Sequence, residues 1–288
     1  MKKFVFMLSF ISLAILTLSS CKKEETTNPQ NLAIEETADY SSDCGYVDSN
    51  WGSNAYLNSF IINQTYTNLM YSQSRNIANL LGVPQVTLRF VHDNTSQNST
   101  ANAISYSNGR IYYGETLFRM ALNYGSIATV MVLAHEYGHQ VQYRYAGVPS
   151  VHESTYRATE LEADGYAGYY MKRGYGASWS QAGPAFNFAY SIGDYYTNSP
   201  GHHGTPPQRR SATRLGWYLG DYSLSATDFD YYFFYYYNRY VLPGALRPTQ
   251  KPAGIRDDIN DFILSKVEEL RKINTGEINA TEFEKLPN

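Results

Sequence analysis

The segment LAHEYGHQVQ, residues 133–142, holds two of the six histidines in the 288-residue chain, His135 and His139. It lies inside a pattern that predicts a helix from residue 126 to about 145. Because positions four apart share one face of a helix, the two imidazoles can point at a single atom. Such a pair is typical of the ligands of a zinc ion, and Glu136, rotated around the helix, can reach a water molecule on the metal. The segment therefore predicts a metal-bearing helix that needs a third ligand from elsewhere.

A candidate third ligand, Glu160, comes 21 residues after His139 in RATELEADGYAGYY, which we predict to form a second helix over about residues 153–172. Asp164, four residues further on, shares the helical face of Glu160, whereas Glu162 points elsewhere. One of the two carboxylates on the shared face can bind the metal while the other accepts a hydrogen bond from a ligand histidine. The alternative for this segment is an acidic helix face that contacts only solvent. The small residues that would let the two helices approach closely are Ala158, Ala163, Gly165, Ala167 and Gly168.

A third block, HHGTPPQRR, carries the signals of a helix start. Thr205 fits the N-cap, Pro206 the first helical position, and Gln208 completes a capping box. The block also brings His202 and His203 to the start of this helix, where the alternative is a pair of surface loop histidines. The two remaining histidines of the chain fit no motif, and we expect both on the surface: His92 and His152.

The other segments predict an α+β fold. Apolar residues at helical spacing precede Gly82, the run QVTLRFVHD is rich in strand formers, and Asn108-Gly109 separates two alternating runs as in a hairpin. Residues 255–273 form an amphipathic helix that we expect to dock on the same domain. Helix, strands and hairpin come first and helices follow, which favours a small mixed sheet and a mostly helical C-terminal part over βαβ alternation.

Composition excludes some classes of function. The net charge of -3 and the lack of a basic block argue against nucleic-acid binding. The chain has 28 tyrosines, many of them in YYFFYYYNRY. We interpret these as core aromatics whose hydroxyls reach water, with a glycan- or peptide-stacking surface as the alternative.

The N-terminus, MKKFVFMLSFISLAILTLSSC, has two lysines, a short apolar run and small residues before Cys21, as in a secretory signal. It resembles the lipobox of bacterial lipoproteins, which implies an acylated Cys21; the alternative is an ordinary signal peptide with an incidental cysteine. We divide the chain into a signal peptide (1–20), a polar tether (21–45), a folded domain (46–250) and a C-terminal helix with its tail (251–288). The expected location is the outer membrane, as a lipoprotein facing the periplasm or the cell surface.

HEYGHQVQ followed by ELEADGYAGYY resembles the neutral zinc metallopeptidase family of bacteria, with a zincin-like fold. It is similar, more distantly, to the membrane zinc peptidases that process prenylated proteins or act in heat-shock quality control. The resemblance implies that His135, His139 and Glu160 bind Zn2+, that Glu136 is the general base, and that Asp164 supports a ligand histidine.

HHGTPPQRR resembles the H-G-T-x-x-Q-R block of the same family. The resemblance implies a role for His203 in stabilising the oxyanion, although His202 could substitute for it. It also implies an edge strand that pairs with an extended substrate, and the run GRIYYGETLF, before the motif helix, is placed to supply that strand. The resemblance covers roughly residues 86–220.

The expected function is that of a lipid-anchored zinc metalloendopeptidase, a monomer that acts on a peptide or protein substrate. One rival is a non-catalytic surface lipoprotein that binds glycan or peptide through its tyrosines. Another is a zinc amidase that acts on cell-wall peptides, because the same zinc, water and glutamate can attack either amide.

Overall fold

The structure, a computed structural model, describes residues 47–191, 203–244 and 250–288 of the chain. This part combines a small mixed sheet with a larger set of helices, which confirms the predicted α+β class. The predicted signal peptide, Cys21, the tether and His202 lie outside the described residues. Within these ranges no helix is long and apolar enough to cross a membrane.

The sheet has four strands in the order β1-β2-β4-β3. They are β1 (Tyr56–Asn58), β2 (Thr87–His92), β3 (Ala103–Tyr106) and β4 (Arg110–Gly114). β2 and β4 run parallel, and the two outer pairs are antiparallel. The predicted hairpin is confirmed: Gly109, at φ 82°, ends the turn between β3 and β4, and its amide donates to the carbonyl of Tyr106. Glycine adopts this left-handed position of a three-residue hairpin loop without steric cost.

The edge strand of the hairpin is β3, so the prediction that GRIYYGETLF supplies the edge is wrong. β4 pairs with β2 on one side and with β3 on the other, and a helix begins at Glu115. The physical reason is burial. Every residue of β4 after Arg110 is buried and needs cover on both sides, whereas β3 is mostly half-buried and tolerates the edge.

The helices of the described ranges are α1 (Gln64–Leu81), α2 (Glu115–Leu122), α3 (Ser126–Arg144), α4 (Arg157–Arg173), α5 (Trp179–Ser191), α6 (Pro206–Leu219), α7 (Ala226–Tyr236), α8 (Asp257–Thr275) and α9 (Ala280–Glu284). A 3₁₀ turn, Gln97–Thr100, precedes β3, and a π-helical turn, Tyr237–Val241, follows α7. The predicted start of α6 is confirmed, with Thr205 as N-cap and Gln208 completing the capping box. α4 begins at Arg157, four residues later than predicted.

Helix α4 contacts α3 on one side and α6 on the other, and glycines set both contacts. A Cβ added at Gly138 of α3 would lie 2.8 Å from Cα of Ala163. A Cβ added at Gly216 of α6 would lie 1.9 Å from the carbonyl oxygen of Gly165. The small residues of α4 therefore allow close approach, as predicted. Gly165, however, contacts α6 with its backbone, and an added Cβ would meet Phe233 of α7 and not the motif helix.

The tyrosine-rich segment contributes to the core, as predicted. The buried residues of one side of α7 and its π-helical turn are Tyr232, Phe233, Tyr236 and Tyr237. The predicted apolar face of α8 is also buried, and this helix packs on α6. Both segments thus belong to the same packed unit as the motif helix.

Candidate metal centre

Three side chains from α3 and α4 meet at one point. His135 and His139 lie one turn apart on α3, with their rings 4.9 Å apart and perpendicular. Nε2 of His135 lies 3.4 Å from Oε2 of Glu160, and Nε2 of His139 lies 3.4 Å from Oε1 of the same carboxylate. The three ligand atoms lie within 4.8 Å of one another, so this group could hold a metal ion. The predicted third ligand on the second helix is thereby brought to the two histidines.

The spacing of these atoms fits a small tetrahedral cation. Two ligand atoms bound at about 2.0–2.1 Å to one zinc ion, with a tetrahedral angle between them, lie roughly 3.3–3.4 Å apart. Each histidine–glutamate distance has this value, although one ends at Oε2 and the other at Oε1 of Glu160. Two imidazole nitrogens and one carboxylate are also a donor set that zinc accepts and that leaves a fourth position open.

His135 is held by a buried ion pair. Its Nδ1 donates to Oδ1 of Asp164 at 2.9 Å, and Arg209 donates to both oxygens of that carboxylate at 2.7 Å. Asp164 is 1% exposed and Arg209 is 4% exposed. Since Nδ1 carries the proton, the lone pair of Nε2 points at the metal position. Asp164 thus takes the predicted supporting role, and Arg209, which lies in the block that follows His203, holds it in place.

Gln142 accepts a hydrogen bond from His139, as Asp164 does from His135. This role of Gln142 was not predicted from the sequence. Oε1 of Gln142 accepts from Nδ1 of His139 at 2.8 Å. Its Nε2 donates to the carbonyl of Thr159 at 2.8 Å and to Glu162 at 2.9 Å. Because a carbonyl oxygen can only accept, the amide orientation is determined, and Nδ1 of His139 must carry a proton. The available signal was a glutamine three residues after the second histidine, on the same helix face.

The electrostatics of the ligands suit a bound cation. Burial raises the pKa of the Glu160 carboxyl, but the charge of His139 and the hydrogen bond from His135 outweigh it and hold that pKa well below its usual range. In the metal-free protein, burial lowers the pKa of His135, but its hydrogen bonds to Asp164 and Glu160 raise that pKa to about 10. A cation at Nε2 would replace that proton, because a ligand imidazole binds in its neutral form.

Glu136 is buried on α3 beside the ligands. Burial raises the pKa of its carboxyl, and the charges of His135 and His139 oppose the rise. The negative charge of Glu136 also helps to raise the pKa of the Tyr143 hydroxyl, after burial. Tyr143 is 52% exposed and lies one turn beyond His139. A buried carboxylate and an exposed phenol therefore flank the site.

His203 also reaches the site. Its Nδ1 lies 3.0 Å from Oε2 of Glu160, and its side chain is 49% exposed. The hydrogen bond to Glu160 raises the pKa of His203. Gly204, at φ 96°, turns the chain from this histidine into the N-cap of α6. The structure thus places His203 at the ligand carboxylate.

The remaining histidines differ. His152 is exposed, as expected. His92 was expected on the surface and is instead only 9% exposed. It lies at the end of β2, where Nδ1 contacts Glu115 at 2.5 Å, Nε2 contacts the carbonyl of Phe60 at 2.9 Å, and the ring stacks on Tyr56. The expectation failed because these three partners come from distant segments that only the fold brings together.

Comparisons of the chain with protein-family models, with curated proteins and with solved structures give no match. The function of the protein is therefore inferred from the geometry of the site and from the sequence motif. Two imidazoles, a carboxylate, a buried glutamate and a half-exposed histidine form an arrangement that can bind a divalent cation and move a proton beside it.

Proposed function

We propose that this protein is a zinc-dependent metalloendopeptidase with a zincin-like fold. The observation that supports it most directly is the pair of 3.4 Å distances from the two histidine Nε2 atoms to Glu160, with Glu136 buried next to them. A structural zinc site has four protein ligands and needs no adjacent carboxylate, whereas a hydrolytic site has three ligands and a base. The residues described here supply three ligands and a glutamate.

A zinc ion held by His135, His139 and Glu160 would lower the pKa of a water molecule to about 7 and polarise a carbonyl group. Glu136 accepts the proton of the attacking water, since its carboxylate is buried beside the ligands. It then delivers this proton to the amine that leaves when the C–N bond of the peptide breaks. Burial raises the pKa of Glu136 towards neutral pH. A group with a pKa near the working pH can both accept the proton of the water and donate it to the leaving amine.

The negative oxygen of the tetrahedral intermediate would need a hydrogen-bond donor, and His203 and Tyr143 are the candidates. His203 lies at Glu160, and its charged form is favoured by that carboxylate. Tyr143 is the candidate for a tyrosine donor, since its hydroxyl interacts with the charges of Glu136 and Glu160. In this structure the hydroxyl donates to the carbonyl of Ser105 at 3.3 Å, so it would have to leave that bond to reach the oxyanion. Donors aimed at the developing charge are typically worth two to three orders of magnitude, ~10²–10³, in rate.

The edge strand β3 supports an extended peptide as substrate. Nε2 of Gln140 donates to Oγ of Ser105 at 2.6 Å and to the carbonyl of Tyr106 at 2.9 Å. These bonds tie β3 to the metal-bearing helix, as does the hydroxyl of Tyr143, which donates to the carbonyl of Ser105 at 3.3 Å. Among the described residues, no strand pairs with the outer edge of β3. An extended chain added at such an edge is recognised through its backbone, so the enzyme would tolerate many sequences. The same chemistry would also cleave the amide of a cell-wall peptide.

The sequence supports an anchored location for this enzyme. Acylation of Cys21 would attach it to the outer membrane, facing the periplasm or the cell surface, and the polar tether would let the domain reach its substrate. The net charge of -3 argues against a nucleic-acid partner. We expect the enzyme to act as a monomer.

The test is Glu136→Gln, compared with Glu153→Gln, which removes a carboxylate from the ion pair with Arg157 outside the site. Zinc content and the hydrolysis of casein and of a fluorogenic peptide library would be measured for both. We expect Glu136→Gln to keep its zinc and to lose about 10²–10⁴ in kcat, while Glu153→Gln keeps both properties. Near-normal hydrolysis by Glu136→Gln would refute the assignment of the base.

A further inference from the structure

One face of the tyrosine-rich segment is only partly covered by the core. The residues at positions i, i+3, i+4 and i+7 of this face are Tyr231, Phe234, Tyr235 and Asn238. Residues with this spacing share one side of a helix. Phe234 is buried in the core, whereas Tyr231 is 41% exposed and both Tyr235 and Asn238 are half-buried. Two tyrosine rings and an amide thus remain accessible on this side of the segment.

This face forms one wall of an open cavity of 640 Å³. The opposite walls come from Ser150 and Val151, between α3 and α4, and from Gln250 and Pro252, before α8. Binding sites for small ligands commonly measure roughly 300–1,000 Å³ and combine aromatic surfaces with a few polar groups. The cavity fits this description and does not include any of the metal-site residues.

The polar groups of the cavity favour an anion. Arg239 is exposed and lines the cavity, and it has no carboxylate within ion-pair distance among the residues that the structure describes. Among the residues that the structure describes, none of those lining the cavity is acidic. The π-helical turn brings Asn238 and Arg239 to this wall, and the amide of Leu242 closes it by donating to the carbonyl of Tyr237 at 3.0 Å. Such turns occur frequently at functional sites.

The walls favour a saccharide over a peptide. A bound peptide presents an N–H and a C=O at each residue, and these need backbone partners when they are buried. The cavity offers few: the backbone of α7 is bonded within the helix, Pro252 has no N–H, and the N–H of Ser150 is taken by Asp230 at 2.7 Å. Sugar hydroxyls both donate and accept, so side-chain amides and a guanidinium can satisfy them. The C–H face of a pyranose packs on an aromatic ring through dispersion.

We propose that this cavity binds an acidic oligosaccharide, with a uronate carboxylate on Arg239 and a sugar ring on the Tyr231 and Tyr235 faces. Asn238 and Gln250 bind the ring hydroxyls. A guanidinium pairs with a carboxylate through two parallel hydrogen bonds, which a neutral sugar lacks. The site is separate from the metal centre and does not depend on the proposed peptidase activity.

The experiment is calorimetric titration of the full protein with trigalacturonate and with a hyaluronan hexasaccharide. The matched ligand is the methyl ester of trigalacturonate, which keeps the sugar and removes the charge. We expect at least one of the two acidic oligosaccharides to bind with a Kd below about 10 mM. If trigalacturonate binds, it should bind about tenfold more tightly than its methyl ester. Arg239→Gln should abolish this preference, and Tyr231→Ala should weaken the binding of acid and ester alike.

Arg173→Gln is the matched control, since it removes an exposed arginine at the end of α4, outside the cavity. It should leave the preference for the acid intact. Failure of both acids to bind, or binding that Arg239→Gln and Tyr231→Ala leave unchanged, overturns the proposal. Binding of an acidic peptide such as Glu-Glu-Phe at the same residues, in place of the saccharides, would overturn it as well and assign the cavity to peptides.

Discussion

Nδ1 of His139 lies 2.8 Å from Oε1 of Gln142, three residues further along the same helix. This amide is fixed in turn by the carbonyl of Thr159 on the second helix of the site. One glutamine therefore sets the tautomer of a ligand histidine and connects the two helices that supply the ligands. Outer partners of this kind typically change metal affinity by about 10–100-fold when they are lost.

The first prediction concerns this glutamine. Gln142→Met keeps a similar volume but removes the acceptor for His139, so zinc affinity should fall by roughly 10–100-fold. The measurement is a competition titration against a chromophoric chelator. Gln140→Met is the control, because Gln140 lies on the same helix but bonds to Ser105 and Tyr106. Equal zinc affinities for the two variants would contradict the role of Gln142.

The second prediction concerns the buried ion pair between Arg209 and Asp164. Arg209→Met removes both guanidinium hydrogen bonds to the Asp164 carboxylate, which is only 1% exposed, and leaves it the hydrogen bond from His135. Loss of one partner from a buried pair costs about 3–5 kcal/mol in the free energy of unfolding. Urea denaturation of the metal-free protein measures this, and Arg157→Met, which breaks the more exposed pair with Glu153, should cost about 0–1 kcal/mol. A loss below about 1 kcal/mol for Arg209→Met would count against the pair as a structural element of the site.

The third prediction concerns the contact between α4 and α6. Gly216→Ala places a Cβ 1.9 Å from the carbonyl oxygen of Gly165, so the helices must move apart. Overpacking of this kind typically costs about 1–3 kcal/mol or more. Gly183→Ala, whose added Cβ would lie 3.1 Å from its nearest neighbour, is the comparison. Thermal unfolding should show a clear loss of stability for Gly216→Ala alone, and equal melting temperatures would disprove the proposed tight crossing.

The sequence predicts those parts of the fold and site that depend on local signals. The histidine spacing on α3, the capping box of Thr205 and Gln208, and the turn at Gly109 are each encoded within a few residues. Helix period and turn chemistry suffice for such features, and all three are found in the structure. Glu160 could also be predicted, because Asp164 repeats at helical spacing after it.

Features that depend on contacts between distant segments could not be predicted. His92 was expected at the surface because nothing near it in sequence identifies Glu115 or Phe60 as a partner. β4 was expected at the edge of the sheet, but β3 lies there. Local sequence does not reveal that β4 pairs in parallel with the distant strand β2. The cavity beside Tyr231 likewise combines residues from three separate segments.

The metal content of the purified protein decides whether His135, His139 and Glu160 form a zinc site. Elemental analysis of the wild type and of His139→Ala would be carried out after dialysis with zinc, and circular dichroism would show that both are folded. We expect about one zinc ion per chain in the wild type and little or none in His139→Ala, because three ligands become two. A folded wild type without zinc, or a variant that retains it fully, would contradict the metal centre at His135, His139 and Glu160.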